Sequence, residues 1–240
     1  MVVRVPMAHR DPAGGDPALE PFQPATDPRP DDAAWPPMLW PPPVDRLAGP
    51  VVELIPCVPE RDAAPLFRAL DDDAVWRHVP GRPRDPADFA ARLGQRNAGA
   101  GFVWTVKLAQ AQGGLPAGAI VGTTSYLDVS VHDARLEIGA TKYVPEVWGT
   151  RVNPDAKRLL LGHAFEVLGV GRVQLKTDVR NVRSQRAIAR LGARPEGILR
   201  RYQRRDDGTV RDTVMFSIVA EEWPAVRDRL LARVQDRARG

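Results

Sequence analysis

The chain has 240 residues, 43% of them hydrophobic, which is enough for one domain with a sizeable core. It carries 34 Lys and Arg against 30 Asp and Glu, nearly all the cations being Arg; this mild excess, with a pI near 9.6, suits an anionic ligand and is too weak to argue for nucleic acid. The single cysteine, Cys57, excludes an internal disulfide and a cysteine-cluster metal site. The absence of both a leader-like apolar run and a membrane-length apolar window points to a soluble protein of a reducing cytosol, with no membrane partner.

Thirteen of the 24 prolines fall in the first 50 residues, in stretches such as "DPRPDDAAWPPMLWPPPVD". Amide donors are too sparse there for a helix or a sheet ladder, so residues 1–46 read as an extended or disordered arm with Trp35, Met38 and Trp40 as its apolar points. A domain then follows over 47–240. "VVELIPCV" (51–58) predicts a strand, and residues 60–79 a helix broken near the acidic "DDD". Residues 85–99 predict a second helix, with Asp85 as its N-cap.

Three strands are expected over 101–109, 118–129 and 134–144, punctuated by Gly, Asp and Pro and arranged as an antiparallel meander. A long helix over 153–170 comes next, with Asn153 as its N-cap and Pro154 just inside. A strand at 172–179, a helix at 181–192 closed by Gly192, strands at 197–205 and 209–219, and a last helix from Glu221 complete the chain. The fold class is α/β (α+β): a mixed, mostly antiparallel sheet flanked by helices, parallel only around the long helix.

The turn "EVWGTRVN" (146–153) sits at the carboxyl end of the 134–144 strand, where open sheets bind ligands. Gly149 permits a tight turn, the amides of 149–153 can converge on one anion, and Arg151 and Lys157 add charge. An ordinary capped connection accounts for the same residues, and the turn alone does not decide between the two.

Four further pieces stand in register: "LEIGA" (136–140), "GHAFEVLGVGRVQLKTD" (162–178), "NVRSQRAIARLGARPEGILR" (181–200) and "DGTVRDTVMFSIVAEEWP" (207–224). Together they resemble the GNAT superfamily of acyl-CoA-dependent N-acyltransferases, in its RimJ/RimL-like branch, over roughly 47–223. The resemblance implies acetyl-CoA as acyl donor, no metal, and direct transfer to a primary amine, either on a small molecule or at a peptide or protein N-terminus. It leaves homodimerisation open, and it leaves open a non-catalytic module that keeps the fold to sense acyl-CoA or bind a partner.

By position in the family pattern, Glu137 is the base, the Tyr143 amide the oxyanion donor, and Ser184 the donor to the departing thiolate. Trp148, Gly149, Thr150, Arg151, Val152 and Asn153 form the pyrophosphate loop, and Asn181 bonds the pantetheine arm or caps its helix. Three departures from the family pattern are visible. Arg151 and Asn153 replace small loop residues, Trp148 stands where Arg or Gln is usual, and Ile188 occupies the place of a common tyrosine. On residue type alone, Glu137 reads equally well as an ion-paired strand carboxylate, and Asp128 is a weaker second candidate. His163 reads as an interior histidine, and "LRRYQRR" (199–205) as a charged strand edge.

Overall fold

The computed structural model describes residues 23–26, 34–99 and 101–236. Most of the expected proline-rich arm, 1–22 and 27–33, lies outside them. The compact unit runs from Trp35, so the end of the proline-rich stretch packs with it: Met38 is buried, Trp35 Nε1 donates to the Gly169 carbonyl at 2.9 Å, and Trp40 lies edge-on to Phe102 and Tyr126.

In chain order the elements are β1 (Leu47–Ala48), β2 (Val52–Pro56), α1 (Pro59–Ala69), α2 (Asp73–Trp76), α3 (Pro86–Ala98), β3 (Phe102–Leu108), β4 (Ile120–Ser130) and β5 (Arg135–Tyr143). They continue with α4 (Val152–Gly162), β6 (Arg172–Asp178), α5 (Val182–Ala189), β7 (Arg194–Arg204), β8 (Val210–Val219) and α6 (Trp223–Gln235). The strands form one sheet in the order β1-β2-β3-β4-β5-β6-β8-β7. Every pairing is antiparallel except β5 with β6.

The break expected in the first helix falls at 70–72, where Asp72 caps α2 by accepting the Ala74 amide at 2.7 Å. Asp85 caps α3 in the same way through the Asp88 amide. Several boundaries differ from expectation, α5 for one ending at Ala189 rather than Gly192, and two have a clear local cause. The long helix starts at Val152 with Arg151 in the cap position, because the Thr150 hydroxyl accepts the Val152 amide and begins the helix before Asn153. It then passes into a π turn at His163–Val167. Strand β7 begins at Arg194, three residues early, because Gly197 at φ +142° lets the chain keep pairing through a bulge.

Alternation along the strands separates the two faces. On one face, Trp104 and Tyr126 are fully buried; the Tyr126 hydroxyl donates to the Leu160 carbonyl at 2.8 Å, fastening the sheet to α4. On the other, Thr105 bonds Asp62 of α1 at 2.9 Å. Fully buried leucines fill both layers, Leu54, Leu136 and Leu160 on the side of α4 and Leu66 and Leu93 on the side of α1 and α3, each contributing about 1.5–3 kcal/mol. Asp155 ties α4 to β2: its buried carboxylate accepts the Val51 and Val52 amides at 2.8 and 3.1 Å and pairs with Arg158 at 2.8 Å.

Candidate active site

Strands β5 and β6 pair only over Arg135–Glu137 with Arg172–Gln174. Beyond that the two strands fork, β5 staying with β4 and β6 with β8. The prongs Ile138–Tyr143 and Leu175–Asp178 therefore present inner edges with no strand between them, where a ligand chain can lie between the prongs.

The β5 prong is irregular. Thr123 faces Lys142 and Ser125 faces Gly139, so Ala140 and Thr141 together oppose Thr124. Ala140 takes φ +48° to make this bulge, an unusual conformation for an alanine. Past the bulge the Val144 amide bonds the Val121 carbonyl at 2.9 Å. Antiparallel alternation then turns the Tyr143 amide away from β4 and into the fork. The Tyr143 carbonyl accepts Trp148 Nε1 at 2.9 Å, and its ring is buried with an unpartnered hydroxyl.

Glu137 stands where the strands part, on the face of α1 and α3, and is 3% exposed. Its Oε2 is held by Lys176 of β6 at 2.6 Å and by Gln174 Nε2 at 3.3 Å. Burial alone would pull the Lys176 ammonium down, but Glu137 and, to a lesser degree, Tyr202 together outweigh it and leave the lysine raised. Oε1 has no hydrogen bond among the described residues and lies over Gly139, whose missing Cβ leaves it room. The carboxylate is thus anchored by one oxygen and open at the other. Asp128, the second candidate, is an exposed residue that takes contacts from Gln174 and Arg135.

Two lysines flank the bulge. Lys142, on the α1 face, has Nζ 3.1 Å from the Ala140 carbonyl and 5.2 Å from the Trp76 ring centroid. Lys157, from α4, bonds the Thr141 and Thr124 hydroxyls at 2.8 and 3.4 Å. Burial lowers both ammonium groups to about 7, with Arg96 adding to the effect at Lys142 and Glu137 opposing it at Lys157.

In the loop before α4, Gly149 takes φ +79° with open space where a Cβ would stand. The amides of Gly149, Arg151 and Asn153 have no acceptor among the described residues. Two other groups are closed to a ligand: the Val152 amide is taken by Thr150, and Pro154 has none. The Arg151 guanidinium reaches Gln112 Oε1 and the Val234 carbonyl, each at 3.4 Å, and lines a concavity of about 420 Å³ with Ala111–Pro116. Across the fork, Arg183 of α5 stacks on the Trp148 ring at 3.5 Å.

Asn181 caps α5, its Oδ1 accepting the Ser184 amide at 3.0 Å, while the Ser184 hydroxyl is free of bonds among the described residues. Ile188, in place of a tyrosine, is buried. His163 stacks on Tyr126 in the interior, lowered to about 4 by burial. Sequence reasoning singled out neither Lys142, Lys176, Arg211 nor Gly139.

A forked sheet with a helix N-terminus beside one prong defines a class of acyl-transfer enzymes, and the comparisons place the chain within it. A family model described as an acetyltransferase (GNAT) domain matches residues 52–194, and the chain belongs to this family. A solved structure from T. thermophilus, described as an acetyltransferase, is 37% identical, with a TM-score of 0.71, covering 82% of this chain and 100% of its own. An uncharacterized N-acetyltransferase of Bacillus subtilis, YoaA, is 24% identical over 68% of this chain and 90% of its own length. Mycobacterium smegmatis RimJ, solved in complex with CoA-disulfide, shares the fold at 24% identity and a TM-score of 0.63, covering 77% and 92% of the two chains. The protein is a GNAT-family N-acetyltransferase.

Proposed function

We propose that the protein moves an acetyl group from acetyl-CoA directly to a primary amine in a ternary complex, as a member of the RimJ/RimL-like branch. The observation that carries this reading is the fork itself, with an amide aimed into it from Tyr143 and a carboxylate at its root in Glu137. Acetyl-CoA supplies the activated acyl group; the residues present fit it, since three free loop amides and an open Gly149 suit an anionic diphosphate.

The amides of Gly149, Arg151 and Asn153 hold the diphosphate, with Trp148, Thr150 and Val152 shaping the loop and Arg151 adding charge. The Tyr143 amide stabilises negative charge on the thioester oxygen. Glu137, fixed through Oε2, takes the acceptor's proton at Oε1, directly or through a water. The Ser184 hydroxyl donates to the departing sulfur, and Asn181 fixes the start of the helix that carries it. Direct transfer is supported by the chemistry of the residues gathered here, a carboxylate base and a hydroxyl donor, with the single cysteine, Cys57, buried at the end of β2, which β3 and β4 separate from the fork in the sheet.

The test is calorimetric titration with acetyl-CoA, desulfo-CoA and a larger acyl-CoA, followed by an amine and peptide screen. Micromolar binding with acetylation that requires both substrates together is expected. Absence of binding to any of the three CoA ligands would refute the assignment of the loop.

A further inference from the structure

Arg211, on β8, is 8% exposed. Its Nε is buried without a partner, and the guanidinium makes no hydrogen bond or ion pair among the described residues. Two residues along the strand, the Thr213 hydroxyl is also buried and unpartnered. Both lie on the face of the sheet that carries Glu137. Glu137 pairs with Gln174 and Gln174 with Ser217, and Ser217, Met215, Thr213 and Arg211 share one side of β8 by strand alternation.

The carboxylates nearby are already committed. Asp178 accepts Arg205 at 2.6 and 3.0 Å and the Arg180 amide at 2.9 Å, and Glu137 holds Lys176. Burial lowers the Arg211 guanidinium, while Asp178 and Glu137 oppose that from beyond ion-pair reach. Arg211 therefore sits near both acids and bonded to neither. A cation taken out of water with no counter-ion is a standing penalty. It is retained at no gain unless an anion arrives to meet it.

Resting on the acetyl-transfer reading above, we propose that the acceptor is a small amine carrying an oxyanion, a carboxylate or a phosphate, which Arg211 receives with the Thr213 hydroxyl while the amine faces Glu137. The guanidinium fork matches either group bidentately. Arg211 is then a specificity residue, acting on acceptor binding rather than on the acyl donor.

The experiment compares ω-aminocarboxylates and aminoalkyl phosphates of increasing length with their uncharged carboxamide and alcohol counterparts, for the wild type, Arg211→Met and Arg211→Lys. The wild type is expected to favour one charged series by roughly ten- to hundredfold in kcat/KM, chiefly through KM. Arg211→Met should erase that preference without weakening acetyl-CoA binding, and Arg211→Lys should restore part of it. The series preferred distinguishes carboxylate from phosphate. Equal rates for charged and neutral amines, or a preference that survives Arg211→Met, would overturn the proposal.

If no amine is acetylated and no acetyl-CoA binds, the acetyl-transfer reading fails separately. The arginine is then decided by titrating glutarate and inorganic phosphate into wild type and Arg211→Met: binding that needs Arg211 supports the anion site, and its absence removes it. The wild-type comparison needs no variant to fold.

Discussion

The Glu137 carboxylate lies directly over Gly139, in the space a Cβ at that position would fill. Any side chain there pushes Oε1 aside. Gly139→Ala is therefore expected to lower kcat by about 10²-fold, the size of loss that a misplaced catalytic group produces, while leaving the dissociation constant for acetyl-CoA unchanged. Steady-state rates beside calorimetric titration separate the two effects, and an unaltered kcat would mean the carboxylate's placement does not matter.

Glu137→Gln keeps the shape and removes the base. The rate loss should be largest at low pH, where the acceptor amine most needs deprotonation. A pH profile of kcat/KM checks this; a uniform loss at all pH values would mark Glu137 as a structural carboxylate.

Lys176→Met leaves Glu137 buried without its ion-pair partner. A loss of about 3 kcal/mol in unfolding free energy is expected, and the Glu137→Gln, Lys176→Met double variant should recover most of it. Denaturant unfolding of the four proteins closes the cycle, and additive effects would show that the pair is not coupled.

Lys142 and Lys157, lowered from 10.5 to about 7 in the fold, set a pH dependence of stability. Between those values the unfolded chain binds more protons than the folded one, so these two groups make stability rise with pH from about 7 to 10.5. Below pH 7 both states hold the protons and the penalty of burying charge is complete. Lys157→Met should accordingly stabilise the protein most below pH 7 and flatten the rise above it. Thermal melts across this range test the sign.

Much of the architecture was legible because it rests on local signals. Asp85 announces its cap and the acidic run at 71–73 the break before α2, whereas α5 ends at Ala189 with Arg190 in the cap position, three residues short of the expected Gly192. The start of α4 was misplaced because a threonine hydroxyl outside the helix, rather than Asn153, takes the first amide. The site was less legible, since it depends on which strands part company, and pairing is not written in periodicity. Residue type did hold a signal. The chain has only four lysines, at 107, 142, 157 and 176, in a protein whose surface cations are arginines, and the last three gather about the fork. Arg211 left no such trace, because its isolation follows from Asp178 being taken by Arg205.

The fork also has a mechanical meaning. Strand β6 is joined to β5 by three residue pairs and to β8 by seven, so the sheet resembles two stiff plates welded along one short seam. That weld runs through Leu136 and Val173, both buried side chains of the core, so the spacing of the two plates, and with it the width of the cleft, rests on the packing of two apolar residues that bear no reactive group.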